Sequence, residues 1–290
     1  MSTATANRTI SPSNAAANDE PSSFGLAGKS DPYRLYERAV QCAEAEVAFL
    51  ERRFQLLRGR PARLLREDFC GTAAVCCEWA GRHRQNRAIG VDLDPEVLEW
   101  GRRNNLSRLT RAAAKRVQLR AGNVLDAYPD RPDIVAAMNF SYWLFQDRAT
   151  LRQYFSGVRE ALAEDGLFFL DAYGGYDAFR EIVEEREIVD DEGSFTYTWE
   201  QASYNPITGA MTCHIHFAFA DGSRLDRAFS YDWRLWTLPE IRELLAEAGF
   251  GRVTCYWQGW DANGEADGIF EPAAQADADA GWICYLSAAQ

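Results

Sequence analysis

The chain has 290 residues, of which 43 are acidic and 31 basic, so its net charge is −12 at pH 7. A hydrophobic fraction of 47% excludes a disordered chain and is sufficient for a sizeable core. The acidic balance argues against a general nucleic-acid-binding protein, whose phosphate contacts need clustered Lys and Arg. No apolar run approaches the roughly 20 residues that span a bilayer, and we therefore expect a cytoplasmic protein without membrane association.

The N-terminal segment, residues 1–23, is rich in Ser, Thr, Ala and Asn and lacks the apolar stretch of a secretory signal. It predicts a disordered tail, followed by a single domain over 24–290. The seven cysteines form no Cys-x-x-Cys pair, and three histidines are too few for a Cys/His zinc array, so no metal site is expected.

The first half of the domain alternates strands and helices. Apolar residues at helical spacing follow Asp31-Pro32 and predict one helix that ends at Gly59. The strands predicted next cover residues 63–69, 87–93, 116–121, 133–139 and 166–171. The helices between them cover residues 73–82, 96–105 and 148–163. This order predicts an α/β fold, a Rossmann-like, doubly wound and mostly parallel sheet of seven strands with helices on both faces.

The pattern changes after Asp171. A helix is predicted at 174–183, and alternating apolar residues then predict three antiparallel strands, at 194–204, 210–220 and 224–235. Their aromatic residues share one face, whereas His214 and His216 fall on the other. We predict an inserted three-stranded sheet at 185–236 that acts as a lid or as the dimerisation surface of a homodimer. A helix at 238–248, a strand at 252–257, a loop at 259–280 and a last strand at 282–287 complete the predicted frame.

A tight turn and a downstream acid carry the chemistry of the first half. Gly71 lies between the first strand and its helix, and Asp92 ends the next strand, 21 residues later. In a parallel sheet this spacing lets the backbone approach a nucleoside while the acid accepts both ribose hydroxyls. Each residue also has a structural alternative, since Gly71 and Asn123 can be turn residues and Asp92 a helix cap. The absence of the G-x-G-x-x-G spacing disfavours a nicotinamide cofactor.

With these motifs the sequence resembles the S-adenosylmethionine-dependent methyltransferases of the Rossmann-like class, over about residues 31–172 and 237–288. The resemblance implies S-adenosylmethionine as cofactor, with Glu67 near its amino group and Asp92 at its ribose. Phe69 and Ala73 stand where the family has glycines. The other cofactor-binding residues that the resemblance implies are Tyr36 in an N-terminal helix cap at 24–60, the turn Cys70, Gly71 and Thr72, Leu93, Asn123 and Val124 at the adenine edge, and Asn139 and Phe140 beside the methyl group.

Methyl transfer from a sulfonium is an in-line displacement, so the protein must mainly align the acceptor and exclude water. The candidate catalytic residues are Tyr142, Tyr173 and His214. Tyr142 ends Asn139-Phe140-Ser141-Tyr142, which has the Asn and Tyr spacing of the Asn-Pro-Pro-Tyr motif of nucleobase methyltransferases. The structural alternatives are a core aromatic for Tyr142, a solvated polar face for His214, and a helix cap for the neighbouring Asp171.

The combined motifs predict an enzyme that transfers a methyl group to a nitrogen or oxygen of a small-molecule acceptor. One alternative changes the acceptor to a base in RNA or DNA, which the Phe-Cys-Gly-Thr turn and residues 31–120, with 18 basic and 12 acidic side chains, favour. Another alternative is a catalytically silent S-adenosylmethionine-binding partner subunit, because Phe69 and Ala73 replace glycines.

Overall fold

The computed structural model describes residues 25–260 and 266–290, and the tail predicted at 1–23 lies outside them. Five strands, of which all but β3 are largely buried, form a parallel sheet in the order β3-β2-β1-β4-β5. Its strands are β1 (Leu64–Asp68), β2 (Arg87–Asp92), β3 (Val117–Ala121), β4 (Ile134–Ala137) and β5 (Leu167–Gly174). The strand order reverses between β1 and β4, where such sheets bind their ligands.

Helices follow these strands and begin at residues that the sequence marks clearly. The helices of the frame are α3 (Ala74–Arg82), α4 (Pro95–Asn104), α5 (Arg111–Ala114), α6 (Arg148–Ala161) and α7 (Leu238–Glu247). Asp94 caps α4 by accepting a hydrogen bond from the Glu96 amide at 2.8 Å, and Pro95 occupies the first helical position. Among the described residues, no helix is long and apolar enough to cross a membrane.

The sheet continues beyond β5 with antiparallel strands and has eight described strands, one more than predicted. These strands are β10 (Arg252–Trp260), β11 (Ala266–Ala273) and β12 (Trp282–Ala289), in the order β11-β10-β12-β5. The additional strand, β11, lies where a loop was predicted at 259–280, of which residues 261–265 lie outside the description. Its Ala, Asp, Gly and Pro residues disfavour a strand, and pairing along β10 outweighs that preference.

A second, antiparallel sheet has four strands where three were predicted. They are β6 (Ile182–Asp190), β7 (Gly193–Tyr204), β8 (Ala210–Ala218) and β9 (Arg224–Arg234). The helix predicted at 174–183 is wrong, because this segment contains a single 3-10 turn, Tyr176–Phe179, and then the start of β6. The strand forms because residues 182–190 pair along their whole length with β7 across a tight hairpin.

Two helices stand where one was predicted between Asp31 and Gly59, namely α1 (Pro32–Val40) and α2 (Ala43–Arg58). The chain is extended at Gln41, which lets α1 leave the frame and bridge to the second sheet. At one end Trp100 Nε1 of α4 donates to Asp31 Oδ2 at 2.5 Å. At the other end Arg38 of α1 forms an ion pair with Asp190 of β6, at 2.6 Å.

The aromatic face of the second sheet packs over the carboxyl ends of β4 and β5. It shares one buried cluster with residues of α1, α6 and the frame. The rings of Trp233 in β9 and Trp143, which follows β4, are 6.0 Å apart, and the rings of Trp143 and Tyr173 in β5 are 4.8 Å apart. The second sheet therefore covers the edge at which ligands of such sheets bind.

Candidate functional site

The turn between β1 and α3 keeps the backbone of a glycine-rich loop, although Phe69 and Ala73 replace two of its glycines. Phe69, Gly71 and Ala73 have φ angles of 59°, 51° and 60°, so every second residue is left-handed. This conformation costs an L-residue about 1–2 kcal/mol, and Phe69 and Ala73 therefore need support from their surroundings. The Phe69 ring is supported by the rings of Phe145 and Tyr154, whose centroids lie 5.9 and 5.6 Å away.

Two glycines outside the turn let its neighbours approach closely. A Cβ on Gly101 of α4 would lie 2.5 Å from the Thr72 carbonyl oxygen, and one on Gly90 of β2 would lie 2.7 Å from Cys70 Sγ. Asn105 Nδ2 donates to the same Thr72 oxygen at 3.0 Å. The turn is thus held against β2 and α4 at a fixed distance.

Asp92 ends β2 with its carboxylate against this turn. Its Oδ2 accepts from the Gly71 amide at 2.8 Å and its Oδ1 accepts from the Asp94 amide at 3.0 Å. The side chain is only 2% exposed, and burial raises its pKa to about 6. Asp94 is the residue that caps α4, so the cap alternative for Asp92 is wrong. Leu93, the next residue, is exposed.

Glu67 lies on β1, beneath the start of α3. Its Oε2 accepts from the Cys76 amide at 3.0 Å. Burial is the main cause that raises the pKa of this carboxyl to about 8, and the nearby Glu46 carboxylate raises it as well. The Cys76 thiol is also hydrogen-bonded to this carboxyl. A carboxylate has about four lone-pair sites, so Glu67 keeps acceptor capacity for a ligand.

The loop after β3 is braced by an aromatic ring. Tyr128 donates its hydroxyl to the Asn123 carbonyl oxygen at 2.9 Å, and Asn123 Oδ1 accepts from the Leu125 amide at 3.0 Å. The guanidinium of Arg66 lies 5.0 Å from the centre of the Tyr128 ring, and Arg66 also pairs with Asp68 inside the protein at 2.6 Å. Asn123 is exposed while the next residue, Val124, is buried.

A second left-handed turn follows β4. Asn139 and Phe140 have φ angles of 59° and 56°, and their amides donate to the two carboxylate oxygens of Asp171 at 2.7 and 2.8 Å. Asp171 therefore holds this turn and does not cap a helix, and burial raises its pKa well above the ordinary value. Tyr142 is fully buried, and its hydroxyl donates to the Asp171 carbonyl oxygen at 2.6 Å.

The structure separates the three candidate catalytic residues. Tyr173 lies in the aromatic layer under the second sheet, where its hydroxyl donates to Gln201 Oε1 at 3.1 Å. Tyr36 of α1 enters the same layer, with its ring 5.1 Å from that of Phe229. His214 points to the opposite face of the second sheet, where Nδ1 and Ser230 Oγ are 2.8 Å apart. Among the described residues, no group of three His, Cys, Asp or Glu is arranged to hold a metal ion.

The chain was compared with known families, curated proteins and solved structures. No family model and no curated protein matches it. An S-adenosylmethionine-dependent methyltransferase from Clostridium acetobutylicum is 17% identical, with a TM-score of 0.63 over 89% of this chain and 97% of its own. CalS10, an amino pentose methyltransferase from Micromonospora echinaspora, is 16% identical, with a TM-score of 0.62 over 89% and 96%. The sugar N-methyltransferase KedS8 from Streptoalloteichus is 19% identical, with a TM-score of 0.59 over 93% and 98%.

The chain has the fold of the S-adenosylmethionine-dependent methyltransferases. The predicted Rossmann-like frame is thereby confirmed. Within this methyltransferase fold, the turn at 69–73, Asp92, the loop at 123–128 and the turn at 139–140 all follow the carboxyl ends of parallel strands.

Sequence reasoning missed one group that belongs to this edge and did not find the role of another. Asp171 was considered beside the candidate catalytic residues, with a helix cap as its alternative, and its carboxylate instead holds the turn at 139–140. Glu46 of α2 was not considered, although its carboxylate is buried and its Oε2 has no hydrogen-bond partner. Its signal in the sequence is an acid at a helical spacing that it shares with Ala43, Val47 and Leu50.

Proposed function

We propose that the protein transfers a methyl group from S-adenosylmethionine to a nitrogen or oxygen of a small-molecule acceptor. The observation that carries the proposal is the turn at 69–73, which keeps three left-handed residues and the Asp92 carboxylate on the Gly71 amide. A strained backbone that persists in place of glycine indicates selection for a close approach to a ligand. This geometry also removes the reason for a catalytically silent subunit, because Phe69 and Ala73 adopt the conformation that glycine would.

The residues present fit the cofactor. Thr72 Oγ1 in the turn and Oε2 of Glu46 are buried without a hydrogen-bond partner, which is expected of atoms that face a polar ligand. We assign Asp92 to the ribose hydroxyls, Glu67 to the amino group, and the loop that begins at Asn123 to the adenine edge. When bound, the cofactor supplies an electrophilic methyl group on a sulfonium.

In this proposal the aromatic layer under the second sheet binds the acceptor. The turn at Asn139 and Phe140, which Asp171 fixes, lies next to Tyr173, with the rings of Phe140 and Tyr173 5.0 Å apart. Tyr173 places a hydroxyl among apolar rings, and this hydroxyl can orient a polar acceptor while the rings exclude water. Gln201 holds the hydroxyl, and its amide nitrogen donates to the Asp177 and Arg180 carbonyl oxygens. The small-molecule acceptor is supported by the descriptions of CalS10 and KedS8, and Tyr142 is not open to a nucleobase because it is fully buried.

The test is transfer of a labelled methyl group from S-adenosylmethionine to panels of small amines, small hydroxy compounds and RNA. We expect label on at least one small molecule and none on RNA. Gln201→Leu, which removes the partner of Tyr173, should raise the KM for the acceptor and leave the KM for the cofactor unchanged. Label on RNA alone, or a cofactor KM that rises with Gln201→Leu, would contradict the acceptor assignment.

A further inference from the structure

A buried carboxylate at the start of α2 lacks a counter-charge. Glu46 is 6% exposed, and its Oε2 has no hydrogen-bond partner. Burial raises the pKa of this carboxyl to about 7, and a hydrogen bond from the Cys42 main chain opposes that rise. No basic side chain of the described residues acts on this group. A buried polar atom without a partner destabilises the folded protein unless a ligand satisfies it.

The charge of Glu46 acts on groups from four surrounding elements. Its charge raises the pKa of Glu67 on β1, Asp171 on β5, Tyr36 on α1 and Tyr285 on β12. Each of these is an acid or a phenol. Two carboxylates, those of Glu46 and Glu67, thus approach the same edge of the sheet from different elements without a cation between them.

The carboxylates of Asp171, Glu67 and Glu46 differ in their hydrogen bonds inside the protein. Both oxygens of Asp171 accept from the amides of Asn139 and Phe140, and Glu67 is hydrogen-bonded to the amide and the thiol of Cys76. Oε2 of Glu46 remains without a partner. The ligand that these oxygens fit is a compact cation with several N–H donors, because carboxylates accept charge-assisted hydrogen bonds. A primary ammonium group meets that description.

We propose that Glu46 binds the ammonium group of the cofactor's amino-acid moiety together with Glu67. The inference rests on the proposed function, which brings one such ammonium group to this edge. It adds a residue of the N-terminal helices to a subsite that the resemblance assigned to Glu67 alone. It also explains why an unpaired acid is retained on the apolar face of α2, since the ligand completes the site.

The test compares two ligands that share the nucleoside and the thioether. S-adenosylhomocysteine carries the amino-acid moiety, and 5′-methylthioadenosine lacks it. Both are titrated by calorimetry into the full chain and into Glu46→Gln, which keeps the size of the side chain and removes its charge. Glu44→Gln is the matched control, because Glu44 lies on the same helix and is exposed.

Loss of a charge-assisted hydrogen bond should weaken binding of S-adenosylhomocysteine about ten- to a hundredfold in Glu46→Gln. Binding of 5′-methylthioadenosine should stay within about twofold of the wild type, and Glu44→Gln should bind both ligands normally. A lower folded fraction alters the stoichiometry of both titrations equally, so the ratio of the two affinities reports the subsite even in a less stable variant.

Equal weakening of both ligands in Glu46→Gln, or weakening of neither, would overturn the assignment of Glu46. A wild-type chain that binds neither ligand would overturn the proposed function itself. The two failures are therefore distinguishable in one set of titrations.

Discussion

The strained turn at 69–73 makes a quantitative prediction through Ala73→Gly. Ala73 is fully buried at φ 60° and ψ 29°, a conformation that costs an L-residue about 1–2 kcal/mol and glycine almost nothing. Removal of the buried methyl group costs about 0.8 kcal/mol, and the greater freedom of glycine in the unfolded chain costs about 0.5–1 kcal/mol. These contributions nearly cancel, so the free energy of unfolding should change by less than about 1 kcal/mol.

Ala80→Gly is the matched control. Ala80 is equally buried but lies within α3, where its backbone is helical and unstrained. The same methyl group is lost there, and glycine costs about a further 1 kcal/mol in a helix. We therefore expect Ala80→Gly to lose about 2 kcal/mol, at least 1 kcal/mol more than Ala73→Gly.

Urea unfolding of the two variants and the wild type measures this difference directly, provided that the dependence on urea concentration is the same for all three. Losses of equal size at the two positions would refute the argument that residue 73 is strained. That outcome would also remove the main observation behind the cofactor turn.

Three further predictions concern the acids and the loop of the site. The pKa of Glu46 is raised in the folded state from 4.5 to about 7, and that of Asp92 from 3.8 to about 6. Their contribution to stability is complete below the pKa values of the unfolded state and is lost as the pH rises through the pKa values of the folded state. The free energy of unfolding should thus fall between about pH 5 and 8, by about 3 kcal/mol for Glu46, and a rise over that range in urea titrations would contradict it. Asp171→Ala leaves the amides of Asn139 and Phe140 unpaired and should cost about 2–4 kcal/mol in the same assay, whereas a loss under 1 kcal/mol would show that the carboxylate does not hold the turn. Tyr128→Phe removes the hydrogen bond to Asn123 and should cost about 1 kcal/mol of stability and weaken S-adenosylhomocysteine severalfold in calorimetry, with unchanged binding as the contrary result.

Local rules recovered the parallel frame because its signals coincide in the sequence. Asp94-Pro95 marks the start of α4 by a cap and a first-turn proline, and β2 is an apolar run that ends in Asp92. The alternation of side chains along β8 also separated His214 from the aromatic face. Each of these features depends on residues that are close in the chain.

The sequence predictions fail where the structure depends on pairing between residues that are distant in the chain. The extended Gln41 between α1 and α2 has neither Pro nor Gly beside it, and the position of α1 is set by contacts with β6 and α4. The strand β11 has a loop-like composition and exists through its pairing with β10. The unpartnered Oε2 of Glu46 is buried only when α2 is packed on β1 and β5, so helical spacing alone could not reveal its role.

The cofactor assignment is the central claim, and the most direct measurement is calorimetric titration of the full chain with S-adenosylhomocysteine. We predict saturable binding at one site, lost or weakened at least a hundredfold in Asp92→Ala and retained in Asp191→Ala, whose side chain is exposed. Absence of binding at millimolar ligand, or binding that Asp92→Ala leaves unchanged, would contradict the account.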